Sequence, residues 1–215
     1  MDNQIRVDLK VLHPWLQYLI KKMIKKCNKK GLYIIITEGL RSVAYQDSLY
    51  AKGRTKPGTI VTWARGRDYA SQHQWGIAFD IAIVDDLTTA KKENVYDLKA
   101  IKKVARIAKS LGLGWGGDWK NPVDTPHLYL KKWGSTTSKL RKKYGVPDNF
   151  KKDWKRKVKG KSRLYRSKDM NKKKIKCWIP KGKTVEVLWY SKLGFAKVKY
   201  DGKIGFVFRS RFKKN

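Results

Sequence analysis

The chain contains only three histidines, and two of them stand close to aspartates in two short segments. His73 and Asp80 lie in the run Ser71-Gln72-His73-Gln74-Trp75-Gly76-Ile77-Ala78-Phe79-Asp80, and Asp124-Thr125-Pro126-His127 follows farther along. Two imidazoles and two carboxylates are the parts of a catalytic zinc site. Three side chains hold the metal and a position stays open for water, which separates such a site from a closed structural one. His73, Asp80 and His127 read as the ligands and Asp124 as the base, so any fold for this chain must bring the two segments together.

At 215 residues the chain can bury one good core and a small second one. Its net charge of +35, from 52 Lys and Arg against 17 Asp and Glu, draws it toward polyanions: nucleic acid, an anionic membrane face, or a cell wall carrying phosphate polymers. Cys27 and Cys177 belong to what read as different domains and are expected to be free thiols. The amino terminus has no basic start followed by an apolar core. The longest strongly apolar run, Leu32 to Ile36, is too short to span a bilayer. The expectation is synthesis in the cytoplasm without an export signal.

Leu16, Leu19, Ile20, Met23, Ile24 and Cys27 recur at helical spacing between Pro14 and Lys30, with a lysine-rich opposite face and Gly31 as the stop. Leu32 to Thr37 is short and β-branched and reads as a buried strand, with Arg41 just past its end. Ser42 to Lys52 returns to helix, and Gly53 to Asp68 is a Gly- and Pro-punctuated loop. Gly76 to Ile83 alternates as a strand, with Gly76, Ala78 and Asp80 on one face and Ile77, Phe79 and Ile81 on the other. Asp97 to Leu111 is a second amphipathic helix with Leu98, Ile101, Val104, Ala105 and Ala108 inward. His127 to Leu130 reads as a strand that can carry the second imidazole to the first across a sheet.

From Asn149 the composition turns strongly basic with little apolar period, which predicts a linker over 149–161. Beyond it, Lys183 to Leu188, Phe195 to Tyr200 and Lys203 to Phe208 alternate as short strands, the last two joined by the hairpin cue Asp201-Gly202. The domains expected are 1–148, this linker, and an all-β module over 162–215.

The pattern Ser71-x-His73-x-x-Gly76-x-Ala78-x-Asp80, then Trp115-Gly116-Gly117-Asp118-Trp119 and Asp124-x-Pro126-His127, preceded by Gly39-Leu40-Arg41-Ser42 with Gln46, Leu49 and Tyr50, resembles the L-alanyl-D-glutamate peptidases of phage endolysins. These belong to the zinc D-Ala-D-Ala carboxypeptidase superfamily. The tail, with Lys181-Gly182-Lys183-Thr184-Val185 and Tyr200-Asp201-Gly202-Lys203-x-Gly205-Phe206-Val207, is similar to bacterial SH3-like wall-binding domains. The fold implied is α+β: a peptidase domain with a small central antiparallel sheet and flanking helices, followed by a small all-β SH3-like barrel.

The resemblance implies Zn²⁺ on His73, Asp80 and His127, Asp124 as proton acceptor, and Arg41 stabilising the oxyanion on the scissile carbonyl. It also implies peptidoglycan and anionic wall polymers as partners, a monomer, and release to the wall through a holin-type pore. Asp68-Tyr69 departs from the small, glycine-rich residues expected there, and Glu38 from an uncharged one. Trp63, Trp75 and Trp119 are candidates for a substrate groove or for core and rim. His13 before Pro14 is assigned to structure, and Asp118 to a turn.

Three other functions compete: a D-Ala-D-Ala-type carboxypeptidase, a host autolysin of the same superfamily, and, remotely, a nucleic-acid-binding protein. The last explains the charge, but no specific nucleic-acid motif accompanies it and the His/Asp constellation is left without a role.

Overall fold

The computed structural model describes residues 7–84, 97–169, 174–191 and 193–213. The terminal residues on which the reading of a missing export signal rests lie largely outside these. The chain divides into two compact units, Met1–Pro147 and Asp148–Asn215. Among the described residues no helix is long and apolar enough to cross a membrane.

The first unit begins with α1 (Pro14–Asn28), whose apolar stripe from Leu16 to Cys27 is buried while its lysines stay exposed. Each such side chain removed from water contributes roughly 1.5–3 kcal/mol, which outweighs the tenths lost to like-charge pairs on the outer face. His13 caps the helix by accepting from the Trp15 N–H at 3.1 Å. Burial, with the positive charge of Lys132 adding to it, lowers the His13 imidazole to about 3. An acceptor must carry a free lone pair, so cap and neutral ring agree.

Strand β1 (Tyr33–Glu38), helix α2 (Val43–Ala51), strand β2 (Ala78–Val84), helix α3 (Leu98–Ser110) and strands β3 (Leu113–Trp115) and β4 (His127–Leu130) follow, with α4 (Ser138–Tyr144) last. The strands form one antiparallel sheet in the order β1-β2-β4-β3. β2 is buried along nearly its whole length, and Asp80 alone keeps slight exposure, its side chain 16% accessible. Its alternation therefore separates small from large residues, and both faces are covered. Gly76 lies outside the strand: it ends a 3-10 turn over Gln72–Trp75 with φ 63°, a left-handed conformation that glycine adopts without strain. Leu98, expected inward on α3, is 45% exposed.

The second unit is a six-stranded antiparallel sheet, β5 (Lys155–Lys157), β6 (Ser162–Tyr165), β7 (Ile175–Ile179), β8 (Thr184–Tyr190), β9 (Phe195–Tyr200) and β10 (Lys203–Phe208), ordered β5-β8-β9-β10-β6-β7. Val158, Leu164, Ile179, Val185, Val187, Ala196, Val198 and Val207 form its core, with Cys177 packed at the edge. Both cysteines are free.

The expected linker over 149–161 is corrected by this structure. α5 (Pro147–Lys152) occupies its start, and β5 pairs Lys155 with Glu186 and Lys157 with Thr184. Cross-strand pairing to β8 satisfies the backbone, so lysine and arginine can occupy a strand without an apolar period.

Candidate metal centre and active site

Sheet register builds the site. Glu38 on β1 stands opposite Asp80 on β2, and Asp80 stands opposite His127 on β4, so three polar side chains line up across three strands. His73 comes from the 3-10 turn before β2. The Ser71 hydroxyl accepts from the His73 N–H at 3.3 Å, and the Gln74 amide donates to the Gly66 carbonyl at 2.7 Å, which anchors the turn. The structure thus brings together all three side chains read as ligands.

Their protons are accounted for by their other partners. His73 Nδ1–H donates to the Gly39 carbonyl at 2.7 Å, leaving Nε2 with its lone pair. The Gln72 amide nitrogen donates to the Gly134 carbonyl at 2.9 Å, which turns its oxygen toward His127; His127 Nε2–H donates to that oxygen at 2.8 Å. His127 Nδ1 is left with its lone pair. His73 Nε2 and His127 Nδ1 are 3.2 Å apart, and they lie 3.3 and 3.0 Å from Asp80 Oδ1.

Three electron-pair donors facing one another with no proton between them call for a cation. Zinc bonds of about 2.0–2.1 Å in a tetrahedral site place ligand atoms roughly 3.3 Å apart, and the observed triangle is within a few tenths of an ångström of that. Two imidazoles and a carboxylate are also a donor set zinc accepts. The residues fit the metal.

Burial pushes the Asp80 carboxyl up, but in a metal-free chain with protons on His73 and His127 the charges and hydrogen bonds of those rings would together hold it well below the usual carboxylate range. Its second oxygen accepts from Arg41 Nη2 at 3.1 Å. Asp124 Oδ2 lies 4.0 Å from His127 Nδ1. Burial raises the Asp124 carboxyl.

Gly116 explains why a Gly-rich segment precedes Asp124. A Cβ there would stand 2.4 Å from the Asp124 carbonyl oxygen and 3.1 Å from the His127 Cβ. The close backbone approach is locked by Asp124 N–H donating to the Gly116 carbonyl at 3.1 Å.

Residues 64–130 match the family described as D-alanyl-D-alanine carboxypeptidase, Peptidase_M15_4. The peptidoglycan L-alanyl-D-glutamate endopeptidase CwlK of Bacillus subtilis (strain 168) is 42% identical over 124 residues, spanning 55% of this chain and 73% of that protein. The chain belongs to the M15 peptidase family.

The L-alanyl-D-glutamate peptidase of Listeria phage A118 is 29% identical to this M15 chain over 119 residues, 54% of the chain and 38% of the phage protein. Among solved structures, the Serratia marcescens L-Ala D-Glu endopeptidase ChiX aligns with a TM-score of 0.41 at 24% identity, covering 57% of this chain and 83% of that one.

A cleft of about 1010 Å³ runs past this cluster and is lined by Arg41, His73, Asp80, Asp124 and His127. Trp63 and Trp119 lie on its walls, Trp63 65% exposed, whereas Trp75 is fully buried. Asp118 sits in a 3-10 turn and pairs with Lys109 at 3.0 Å.

Glu38 has a structural role here: it accepts from the Tyr45 hydroxyl at 3.2 Å and lies 3.4 Å from Arg41 Nε. Tyr69, in the stretch where small, glycine-rich residues are expected, adopts φ 49°, and its carbonyl accepts from the Trp75 indole at 2.8 Å. Gln72 is a partner of the site that the spacing of histidines and aspartates does not single out. The signal available was an uncharged amide directly beside a ligand histidine, in a segment otherwise destined for burial.

Proposed function

We propose that this chain is a zinc-dependent peptidoglycan hydrolase that cuts the stem-peptide bond between L-Ala and D-Glu. The observation that supports the reading best is the triangle of lone pairs on His73, His127 and Asp80. The similarity to two L-alanyl-D-glutamate peptidases argues for the bond. Zinc held there would polarise the scissile carbonyl and make water nucleophilic at neutral pH.

The chain's own residues do the rest. Asp124, on the cleft wall near His127, accepts the proton of the attacking water and returns it to the leaving amine. Arg41 holds Asp80 in its coordinating orientation and offers a permanent positive charge where the oxyanion develops. Gln72 and the Gly39 carbonyl keep each imidazole in the tautomer that presents its lone pair. The cleft positions an extended peptide across the site.

We assign residues 148–215 to wall attachment as an SH3-like module, with the overall positive charge favouring an anionic wall. The phage relative favours a lysin that reaches the wall through a holin-type pore, and the Bacillus relative favours a host wall enzyme. The test is mass spectrometry of purified peptidoglycan digested with and without chelator. New L-Ala carboxyl and D-Glu amino termini that vanish with chelator support the reading; D-Ala termini instead would reassign the bond.

A further inference from the structure

The second unit holds a pocket of about 280 Å³ lined by Lys161, Arg163, Tyr165, Trp178, Phe208 and Arg211. Arg163 on β6 and Trp178 on β7 are direct cross-strand partners. The Arg163 guanidinium lies 4.8 Å and the Lys161 ammonium 4.9 Å from the centre of the Trp178 ring. Tyr165 and Phe208 meet edge to face at 5.9 Å. Arg211 reaches the pocket from the 3-10 turn after β10.

Two features make this more than one part of a basic surface. First, among the described residues none of the three cations is ion-paired, and Arg163 Nε is buried without a hydrogen-bond partner. Lys161 and Arg163 lie over the Trp178 ring rather than beside a carboxylate, so their positive charge is not neutralised by an ion pair. Second, Trp178 and Phe208 are 45% and 41% exposed in a unit whose other large apolar side chains are mostly buried. Exposed aromatic rings beside unneutralised guanidinium groups suit a ligand that joins an anion to a carbon-rich body.

We propose that this pocket binds one repeat of a polyol-phosphate or sugar-phosphate wall polymer, with the phosphodiester on Arg163, Arg211 and Lys161 and the polyol or sugar against Trp178 and Phe208. The volume, at the small end for ligand sites, suits a single repeat rather than a folded partner. The guanidinium forks match phosphate oxygens in pairs. The inference rests on the reading of residues 148–215 as a wall-binding unit and supplies its ligand chemistry.

The test titrates the full-length chain with a synthetic glycerol-phosphate oligomer and, separately, with single-stranded DNA of equal charge. Arg163→Gln/Arg211→Gln is compared with Lys183→Gln/Lys203→Gln, which removes the same charge outside the pocket. Trp178→Ala probes the ring alone, and thermal unfolding checks that each variant is folded. The expected result is a Kd for the oligomer raised roughly tenfold or more by the pocket double variant, since each lost charge-assisted hydrogen bond is worth about that factor. Trp178→Ala should weaken binding several-fold, and the control should stay within about twofold.

Equal losses in pocket and control variants would overturn the pocket in favour of diffuse charge. DNA bound as tightly through the same residues would overturn it in favour of nucleic acid. Hydrolysis of soluble muropeptides by the same variants should be unchanged. Loss of attachment to intact walls is scored separately, so pocket-dependent oligomer binding without wall attachment would reject only the targeting reading.

Discussion

Gln72 holds His127: its side-chain oxygen accepts the Nε2 proton at 2.8 Å while its amide donates to the Gly134 carbonyl at 2.9 Å. The pair is buried, and its consequence is that the Nδ1 lone pair of His127 faces Asp80. Outer partners of ligating histidines commonly change metal affinity by about 10–100-fold. Gln72→Ala should weaken zinc binding by that range, measured by competition with a chromophoric chelator. Gln72→Glu keeps the acceptor but loses the donor toward Gly134, so affinity should return while Tm falls; equal zinc affinity in wild type and Gln72→Ala would remove the role.

Asp124 lies beside the ligand triangle and lines the cleft. Asp124→Asn should therefore retain zinc and fold but lose about 10²–10⁴ in kcat, the usual contribution of a positioned acid–base group. Metal content and muropeptide turnover measured on one preparation check both halves. Near-normal turnover would remove Asp124 as the base.

Gly116 lies where a methyl group would press on the Asp124 carbonyl. Gly116→Ala should displace Asp124 and His127 together, and a shift approaching 1 Å costs on the order of 10²-fold in rate. Turnover at saturating zinc distinguishes this loss from weakened metal binding.

His13 makes the first unit sensitive to acid. Its imidazole is lowered from 6.5 to about 3 in the folded chain. Between those values the unfolded chain binds a proton that the folded one does not, so stability falls as pH drops below 6.5 and this contribution levels off near 3. The maximum slope is about 1.4 kcal/mol per pH unit. His13→Asn keeps a cap without a titrating ring, so its stability relative to wild type should improve as pH is lowered; parallel curves from chemical denaturation would contradict the assignment.

Most of this fold could be read where burial imposes a period. α1, α3, β1, β9 and β10 carry apolar stripes or alternation, and the structure places them within two residues of the expected bounds. β3, α4, β5, β6 and β7 lacked such a signal. The strands among them are held by pairing with other strands, as Lys155–Lys157 is held by β8, and a local window does not contain that partner. The site divides in the same way. His73, Asp80, Asp124 and His127 announce themselves because their side chains have few other uses in such a pattern. Gln72, Gln46 and Glu38 look like ordinary polar residues until the fold buries Gln46 against Thr62, Ala64 and Arg41 and sets Glu38 beside Arg41 and Tyr45.

The most direct measurement is calorimetric titration of zinc into the metal-free chain, wild type beside His73→Ala, Asp80→Asn and His127→Ala. The expected result is one tight site in wild type, lost or greatly weakened in each variant, with muropeptide hydrolysis returning in step with its occupancy. Full hydrolysis by the metal-free chain, or tight zinc binding that survives all three substitutions, would contradict the assignment of this centre.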